Sequence, residues 1–452
     1  MDNAQQIKTE VTAAFKLGGF TIRREATTYL VEQLSTYSFQ ERQRVIDKIT
    51  KHLLHQCLSQ PVLEKNHIEV AFSECSSSGL EESETVLSVI DAFSIPKLHY
   101  NKERKRFLKD LEVNNNLYPE PKWKAQFLID RYILIWQRTV RNKLFAQESA
   151  PGFESERRFN LRKIEVLLSS SSRINEVIVL GLLTQLTEGK FYLEDPTGTI
   201  PLDISKTRYH SGLFTESSYV LVEGYYDDKI LYVMGLVLPP SETREESLPY
   251  FGNLNTFGGP SKSLLKNSQN LLRIEKENVD GIMVFLSDVW LDNLKVMTNL
   301  KTLFSGYNDF PPIQKLGDSV IFTTNPCRIQ YCSQEIVLMR QDLVMKMCRN
   351  SIHFPETDNI PDHLTKTLLS QCTLSPLSLG VQPLYWKHAD SLNLYPLPDL
   401  VVIADHFQPY SRSYQNCQVI NPGSFPRTEF SFKVYIPSSK TVEDSQIPKD
   451  DA

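Results

Sequence analysis

Two hydrophobic periods share this chain, and no single layer of secondary structure satisfies both. Up to about residue 145 apolar side chains recur every three or four positions; from about residue 159 they alternate. The chain must therefore carry a helical part and a sheet-forming part. Its 452 residues are enough for roughly two to four domains, each with its own core.

The helical part reads in pieces. Ile7, Val11 and Phe15 sit four apart, and Gly18-Gly19 stops the run. Tyr29, Leu30 and Leu34 mark a second helix. Ser38 with Glu41 matches a capping box ahead of Val45, Ile46, Ile49 and Leu53. Asn66 is placed to cap a further helix through Ile68 and Val70, and 81–93 reads as another, with Leu87 and Ile90 inward and Pro96 ending it. The basic run NKERKRF (101–107) reads as a solvated linker face, with a docking or phosphate-contacting patch as the alternative. The spacing over 123–145 predicts a helix whose Trp123, Phe127, Tyr132 and Trp136 form a stripe packed on a neighbouring domain. QESAPGFESE (147–156) reads as a polar linker.

Beyond it, VIVLGLL (177–183) is a strand and KFYLEDPTGTIPLDIS (190–205) a hairpin turning at Asp195-Pro196-Thr197-Gly198. A second hairpin, SYVLVEGYYDDKILYVMGLVLPP (218–240), turns at Asp227-Asp228. About five short strands in this stretch look like an OB-fold. From about 281, strand and helix alternate as in an α/β layer. TVEDSQIPKDDA (441–452) reads as a disordered tail.

Composition narrows the function classes. Lys and Arg number 49, Asp and Glu 54, and the net charge is −5. The chain as a whole exerts no pull on nucleic acid or anionic membrane, so any DNA contact must be local. No apolar run reaches the ~20 residues of a membrane span, and MDNAQQIKTE lacks the apolar core of a signal peptide. Cys57, Cys75, Cys327, Cys332, Cys348, Cys372 and Cys417 are scattered without a C-x-x-C pair. They fit reduced thiols in the cytosol or nucleus rather than disulfides or a zinc site. KERKR (102–106), interrupted by Glu103, is the nearest thing to a basic import signal.

Four strings in the α/β part are specific: FLSDVWLD (285–292), TTNPCRIQYCSQEI (323–336), DLVVIAD (399–405) and INPGSFP (420–426). With the OB-like segment before them, they resemble the B subunits of the eukaryotic replicative DNA polymerases, and the N-terminal helices point to the epsilon branch. The resemblance runs over nearly the whole chain. It implies a multidomain α+β protein: a helical N-terminal bundle over 1–95, a linker with a helical segment over 96–157, and an OB-fold β-barrel over 158–245. An inactive calcineurin-like phosphoesterase α/β layer would follow over 246–440, and then the tail, 441–452.

Active enzymes of the phosphoesterase kind hold two metals at strand ends with dense carboxylate and imidazole ligands. Their D-x-H motif is matched here by Asp288-Val289-Trp290, and their G-H-x-H by Ala404-Asp405-His406-Phe407. Trp290 has no lone pair to give a metal. His353, His363, His388 and His406 show no H-x-H or H-x-x-x-H spacing. The resemblance thus implies no catalytic, cofactor-binding or metal-binding residue and no cofactor. Asp288 and Asp292 are expected to cap loops through backbone amides, and His406 to be a plain surface residue. FSGYNDFPP (304–312) is followed almost at once by VIFTTNPCR (320–328). At least two β-α units of ~30 residues each therefore read as deleted from the layer.

The resemblance implies a non-catalytic accessory subunit in nuclear DNA replication and repair. Its expected partners are the C-terminal region of the polymerase epsilon catalytic subunit, the small histone-fold subunits, and the replicative helicase through GINS by way of the N-terminal bundle. DNA would be met mainly through the complex, and no membrane would be involved. Two alternatives stand beside it. One is a single-strand nucleic-acid binder, for which Phe191, Tyr192, Tyr209, Tyr219, Tyr225, Tyr226 and Tyr232 supply aromatics. Against it, Glu188, Glu194, Asp195, Asp203, Asp227 and Asp228 offset Lys190, Lys206, Arg208 and Lys229. The other, a metal-dependent phosphoesterase, is disfavoured by the missing ligands.

Overall fold

The computed structural model describes residues 2–34, 39–55, 62–65, 67–69, 71–72, 85–110, 120–145, 159–252, 254–259, 261, 265–308, 310–312, 320–357 and 359–448. They fall into two compact units, Met1–Thr85 and Val86–Ala452.

In the first unit, α1 (Asp2–Leu17), α2 (Arg24–Leu34) and α3 (Phe39–His55) pool their apolar stripes. Ile7, Val11, Phe15, Leu30, Leu34, Ile46, Ile49 and Leu53 are buried together, as the four-residue spacing requires. Gly19 takes φ +81° where α1 ends. β1 (Thr21–Ile22) pairs in parallel with β2 (Val62–Leu63). The Ser38–Glu41 capping box, Asn66 and Val70 lie outside the described side chains.

The second unit opens with a correction. Leu87–Ile90, expected on a helix, is the strand β3. Four residues cannot separate a helical period from a strand period, and pairing along 328–331 decides the matter. The basic run is likewise no linker. β4 (Leu98–Asn101) and β5 (Arg106–Lys109) form an antiparallel hairpin with Lys102–Lys105 at its tip. The aromatic helix is α4 (Lys122–Arg141).

β6 (Leu161–Arg162), β7 (Ile174–Thr187), β8 (Lys190–Asp195), β9 (Gly198–Asp203), β10 (Arg208–Tyr209), β11 (Tyr219–Asp227) and β12 (Ile230–Val237) make one curled sheet, with α5 (Ile164–Leu168) at its end. Its order is β10-β12-β11-β7-β8-β9, with β6 beside β7. Both expected hairpins are present. The first turn is held by Asp195 Oδ1, which accepts from Thr197 N at 2.7 Å and Gly198 N at 3.1 Å. In the second, Asp228 and Lys229 both have positive φ, as a tight hairpin twist demands. A bulge follows Glu223, where a Cβ on Gly224 would lie 2.0 Å from Tyr232 O. The sheet does not close into the expected barrel. β9 meets β12 only through Leu202↔Leu231 and Asp203↔Tyr232, because the six-residue β8 and β9 are too short to span the longer strands.

The rest is layered. β13 (Met283–Phe285), β14 (Cys327–Tyr331), β15 (Gln334–Arg340), β16 (Leu400–Ala404), β17 (Tyr410–Tyr414), β18 (Cys417–Asn421), β19 (Ser431–Ile436) and β20 (Thr441–Gln446) form two sheets. Their orders are β17-β18-β16-β15-β14-β3 and β13-β19-β20. Phe285, Ile336, Leu400, Val402, Ile420 and Tyr435 fill the space between them. Alternate residues point outward to helices: Val337, Val401, Ile403 and Val419 toward α9 (Leu343–Arg349) and α10 (Ile360–Gln371), and Phe432 and Val434 toward α8 (Leu294–Ser305). α6 (Arg244–Ser247) and α7 (Gln269–Glu277) lie on the connection from the curled sheet. The first half of the expected tail, Thr441–Gln446, is β20, paired with β19 along its whole length, and 449–452 lie outside the described residues. Its polar composition is that of an edge strand with one wet face, and only Val442 and then Ile447 turn inward.

Buried polar bonds join the curled sheet to the layers. Gln371 at the end of α10 accepts from Tyr219 N at 2.8 Å and donates to Tyr219 O at 2.7 Å. Leu213 N donates to Thr367 Oγ1 at 2.8 Å. Arg138 of α4, 2% exposed, donates to Ser370 O at 2.6 Å and to Cys372 Sγ at 2.7 Å. Arg244 reaches Glu335 at 2.5 Å and Asp399 at 3.3 Å. Half of the expected α4 stripe packs on the sheet: Tyr132 and Trp136 lie against Leu180, Tyr219 and Leu221, while Trp123 and Phe127 line a cavity with Tyr100 and Trp386. Replacing Gln371 by Leu would leave two buried peptide groups unpaired. We expect Gln371→Leu to cost roughly 2–4 kcal/mol, read as a lowered urea midpoint; an unchanged midpoint would show that the joint carries little stability.

Candidate functional site

β15, β16 and β18 run parallel, and the carboxyl ends of such strands are where α/β proteins bind and react. A cleft of about 290 Å³ lies there, lined by Ser287, Asp288, Asn325, Arg340, Gln341, Asp342, Ala404, Asp405 and His406. All four specific strings meet at or beside it. Ser287 Oγ donates to Gly423 O, and Phe425 N donates to Ser287 O at 3.0 Å, which laces the loop after β13 to INPGSFP. Asn325 exchanges two 2.8 Å bonds with the backbone of Arg340.

Asp288 keeps its place with φ +51°. The expectation of backbone capping is corrected: its carboxylate takes side-chain donors. Ser424 Oγ donates to Oδ2 at 2.5 Å and Trp290 Nε1 to Oδ1 at 3.0 Å. Burial pulls this carboxyl up, yet the bonds from Ser424 and Trp290 and the His406 charge outweigh it and hold it below 3.8. Asp292 does not line the cleft.

His406 is also corrected. Though 45% exposed, its ring bridges two carboxylates, Nδ1 to Asp342 Oδ1 at 2.5 Å and Nε2 to Asp288 Oδ2 at 3.3 Å. The Asp342 bond comes first among the causes that raise it above 6.5. Asp405, 2% exposed, accepts from Val344 N at 2.8 Å in the first turn of α9 and from Phe407 N at 2.9 Å. Burial raises its carboxyl despite those bonds. The other histidines are spent elsewhere. His363 Nδ1 accepts from Gly212 N at 2.8 Å, His353 stacks on Tyr209 at 4.3 Å, and His388 meets Phe93 edge-on at 5.3 Å. Among the described residues no group of three or more His, Cys, Asp or Glu is placed to hold a metal ion. The acids of the cleft are occupied by one imidazole, one hydroxyl, one indole and backbone amides. The arrangement clasps loops together: the ring of His406 links the loop after β16 to Asp342 and Asp288.

Sequence comparison decides the family. DNA polymerase epsilon subunit 2 of Homo sapiens is 41% identical over 98% of this chain and 99% of its own length. The chain belongs to the DNA polymerase epsilon subunit 2 family. The protein of that name from Drosophila melanogaster is 38% identical over 98% of both chains. The probable DNA polymerase epsilon subunit 2 of Caenorhabditis elegans is 28% identical over 98% of this chain and 95% of its own. Three family models match segments. They are those of the DNA polymerases epsilon N terminal over 3–75, the DNA polymerase epsilon subunit 2-like OB-fold domain over 121–240, and the B subunit of DNA polymerases alpha and epsilon over 310–412. The curled sheet is thus the OB-fold domain. The family is that of the accessory B subunit in DNA replication, distinct from the catalytic subunit. The human alignment runs over 522 positions against 452 residues, so at least 70 internal positions have no counterpart in this epsilon B subunit.

Because the folded His406 value is raised, its contribution to stability is complete below 6.5 and fades as pH climbs through that raised value. His406→Gln should therefore destabilise more at a mildly acidic pH than at an alkaline one, measured by chemical denaturation. The NMR titration of His406 should move back toward 6.5 in Asp342→Asn. An equal effect of His406→Gln at both pH values would contradict the clasp. Hydrolysis of a generic phosphodiester should stay at background with added manganese or magnesium. A metal-dependent rate abolished by Asp288→Ala would overturn that expectation.

Proposed function

We propose that this B subunit is a scaffold that grips the C-terminal region of the polymerase epsilon catalytic subunit across its OB-fold domain and α/β layers. We read those layers as a shortened, inactive phosphoesterase-like domain, and residues 1–95 as a helical bundle with the β3 segment removed from it. The bundle would meet the replicative helicase assembly through GINS. The small histone-fold subunits of the complex are further partners, and the nucleus is the place of work. The observation that carries the reading is the joint: Gln371 bonds the OB-fold sheet at Tyr219, Arg138 ties α4 to the end of α10, and Arg244 ties the connection after β12 to the layers, all through buried bonds. Such a joint makes one stiff surface, and a stiff surface binds with little ordering cost. The cleft fits the same reading, since Asp288 and Asp342 are held by His406 in a clasp between loops.

The test is co-purification with the catalytic subunit's C-terminal region, beside a version in which the missing positions are restored from a full-length relative. Retention of the present chain supports the scaffold reading for this form. Failure of both versions would contradict it.

A second reading, single-strand nucleic-acid binding, finds support in Tyr225 stacked on Tyr232 at 4.8 Å with Arg173 over Tyr225 at 4.4 Å. The neighbouring Glu223, Asp227 and Asp228 work against a phosphate backbone. Binding of the isolated subunit to single-stranded DNA should be weak at low salt; tight binding that falls steeply with added salt would favour this second reading.

A further inference from the structure

The basic run at 101–107 is used by neither the joint nor the cleft, yet it is firmly built. Lys102–Lys105 form the loop between β4 and β5, and the last pair below it is Asn101↔Arg106. Arg104 N donates to Asn101 Oδ1 at 2.9 Å, which closes the loop. The stem is anchored on one face: Phe107 is buried, stacks on Phe251 at 4.3 Å and meets Tyr100 at 5.2 Å. Cys372, which Arg138 holds at the joint, belongs to the same cluster. Lys102, Arg104, Lys105 and Arg106 are all exposed, with Glu103 the one acid among them. Four cations in five residues repel one another, and a chain of net charge −5 has carboxylates enough to pair them. Among the described residues neither Lys102 nor Lys105 has a carboxylate at ion-pair distance; Lys102 Nζ lies over the Trp136 ring, 5.8 Å from its centroid. Lys105 also has φ +51°. A left-handed loop position favours glycine or asparagine, so folding alone gives no reason for a lysine there. A residue kept against its backbone preference points to a use for its side chain.

We infer that this hairpin tip holds the phosphate backbone of duplex DNA, with Lys102 and Lys105 as contacting cations and Arg104 and Arg106 flanking them. Charge sets the class of ligand, because a compact group of cations suits a polyanion. Geometry sets its form. A single strand is bound by stacking its bases on aromatic side chains, and this hairpin turns its own aromatics, Tyr100 and Phe107, into the core. A narrow two-stranded ribbon fits a duplex groove. Contacts to phosphate alone position the duplex without reading its sequence. The family acts in DNA replication, where duplex DNA is at hand. The inference rests on neither the scaffold reading nor the Tyr225–Tyr232 stack.

The test is fluorescence anisotropy of the full chain with a labelled duplex over a salt series of about 50–200 mM, beside the matching single strand and with polyglutamate as competitor. Weak, sequence-independent binding to the duplex is expected, with log affinity falling against log salt. Lys102→Gln with Lys105→Gln should weaken it several-fold and flatten that slope by about two, since each phosphate contact contributes about 0.9. Lys105→Asn suits the left-handed backbone, so it should lose about one unit of slope while the melting temperature holds, which separates lost charge from lost fold. An affinity and slope unmoved by the double substitution would overturn the proposal, as would the absence of duplex binding at the lowest salt. Single strand bound as tightly as duplex through the same lysines, or polyglutamate competing as well as duplex at equal charge, would overturn the assignment to duplex DNA.

Discussion

Everything in the second unit depends on how one buried amide is used. Gln371 ends α10 and spends both its oxygen and its nitrogen on the peptide groups of Tyr219 in the OB-fold sheet. Neither group sees water, so each bond is worth its full desolvation cost if broken. Arg138 closes the same seam from α4, and Arg244 closes it from the connection after β12. A buried charge left without its partner is expensive, so these contacts act as fixed points. They make the OB-fold domain and the α/β layers one body, which is the property a scaffold needs and a hinged enzyme does not.

The same economy explains the cleft. Its position at parallel strand ends is that of an active site, but its side chains serve the fold. Asp405 caps α9, Asp288 collects Ser424 and Trp290, and His406 spans from Asp288 to Asp342. A metal centre needs lone pairs left free to converge on one point. Here Asp288, Asp405 and His406 already face donors or acceptors of the protein itself.

What could be read from sequence was what depends on near neighbours. Both OB hairpins were legible because Asp195 and the Asp228-Lys229 pair fix their turns locally. The stripes of α1 to α3, and half of that on α4, were legible because burial follows their spacing. β3 was misread because its four residues fit either period and only β14, far along the chain, decides between them. β20 was misread because an edge strand with one wet face has the composition of a tail. In the cleft, Asp288 could be singled out from its string. His406 could not be assigned a role, because its partner Asp342 is 64 positions away. The capping bond from Asp405 to Val344 spans 61. Such contacts leave no mark in local sequence.

The central claim is that the joined OB-fold domain and layers, rather than the cleft, are what the catalytic subunit recognises. Calorimetric titration of the catalytic subunit's C-terminal region against Gln371→Ala and against His406→Gln, each at a temperature where the variant is folded, tests this most directly. The account predicts that affinity falls when the joint is loosened and holds when the clasp is opened. Undiminished binding by Gln371→Ala, or a loss confined to His406→Gln, would contradict it.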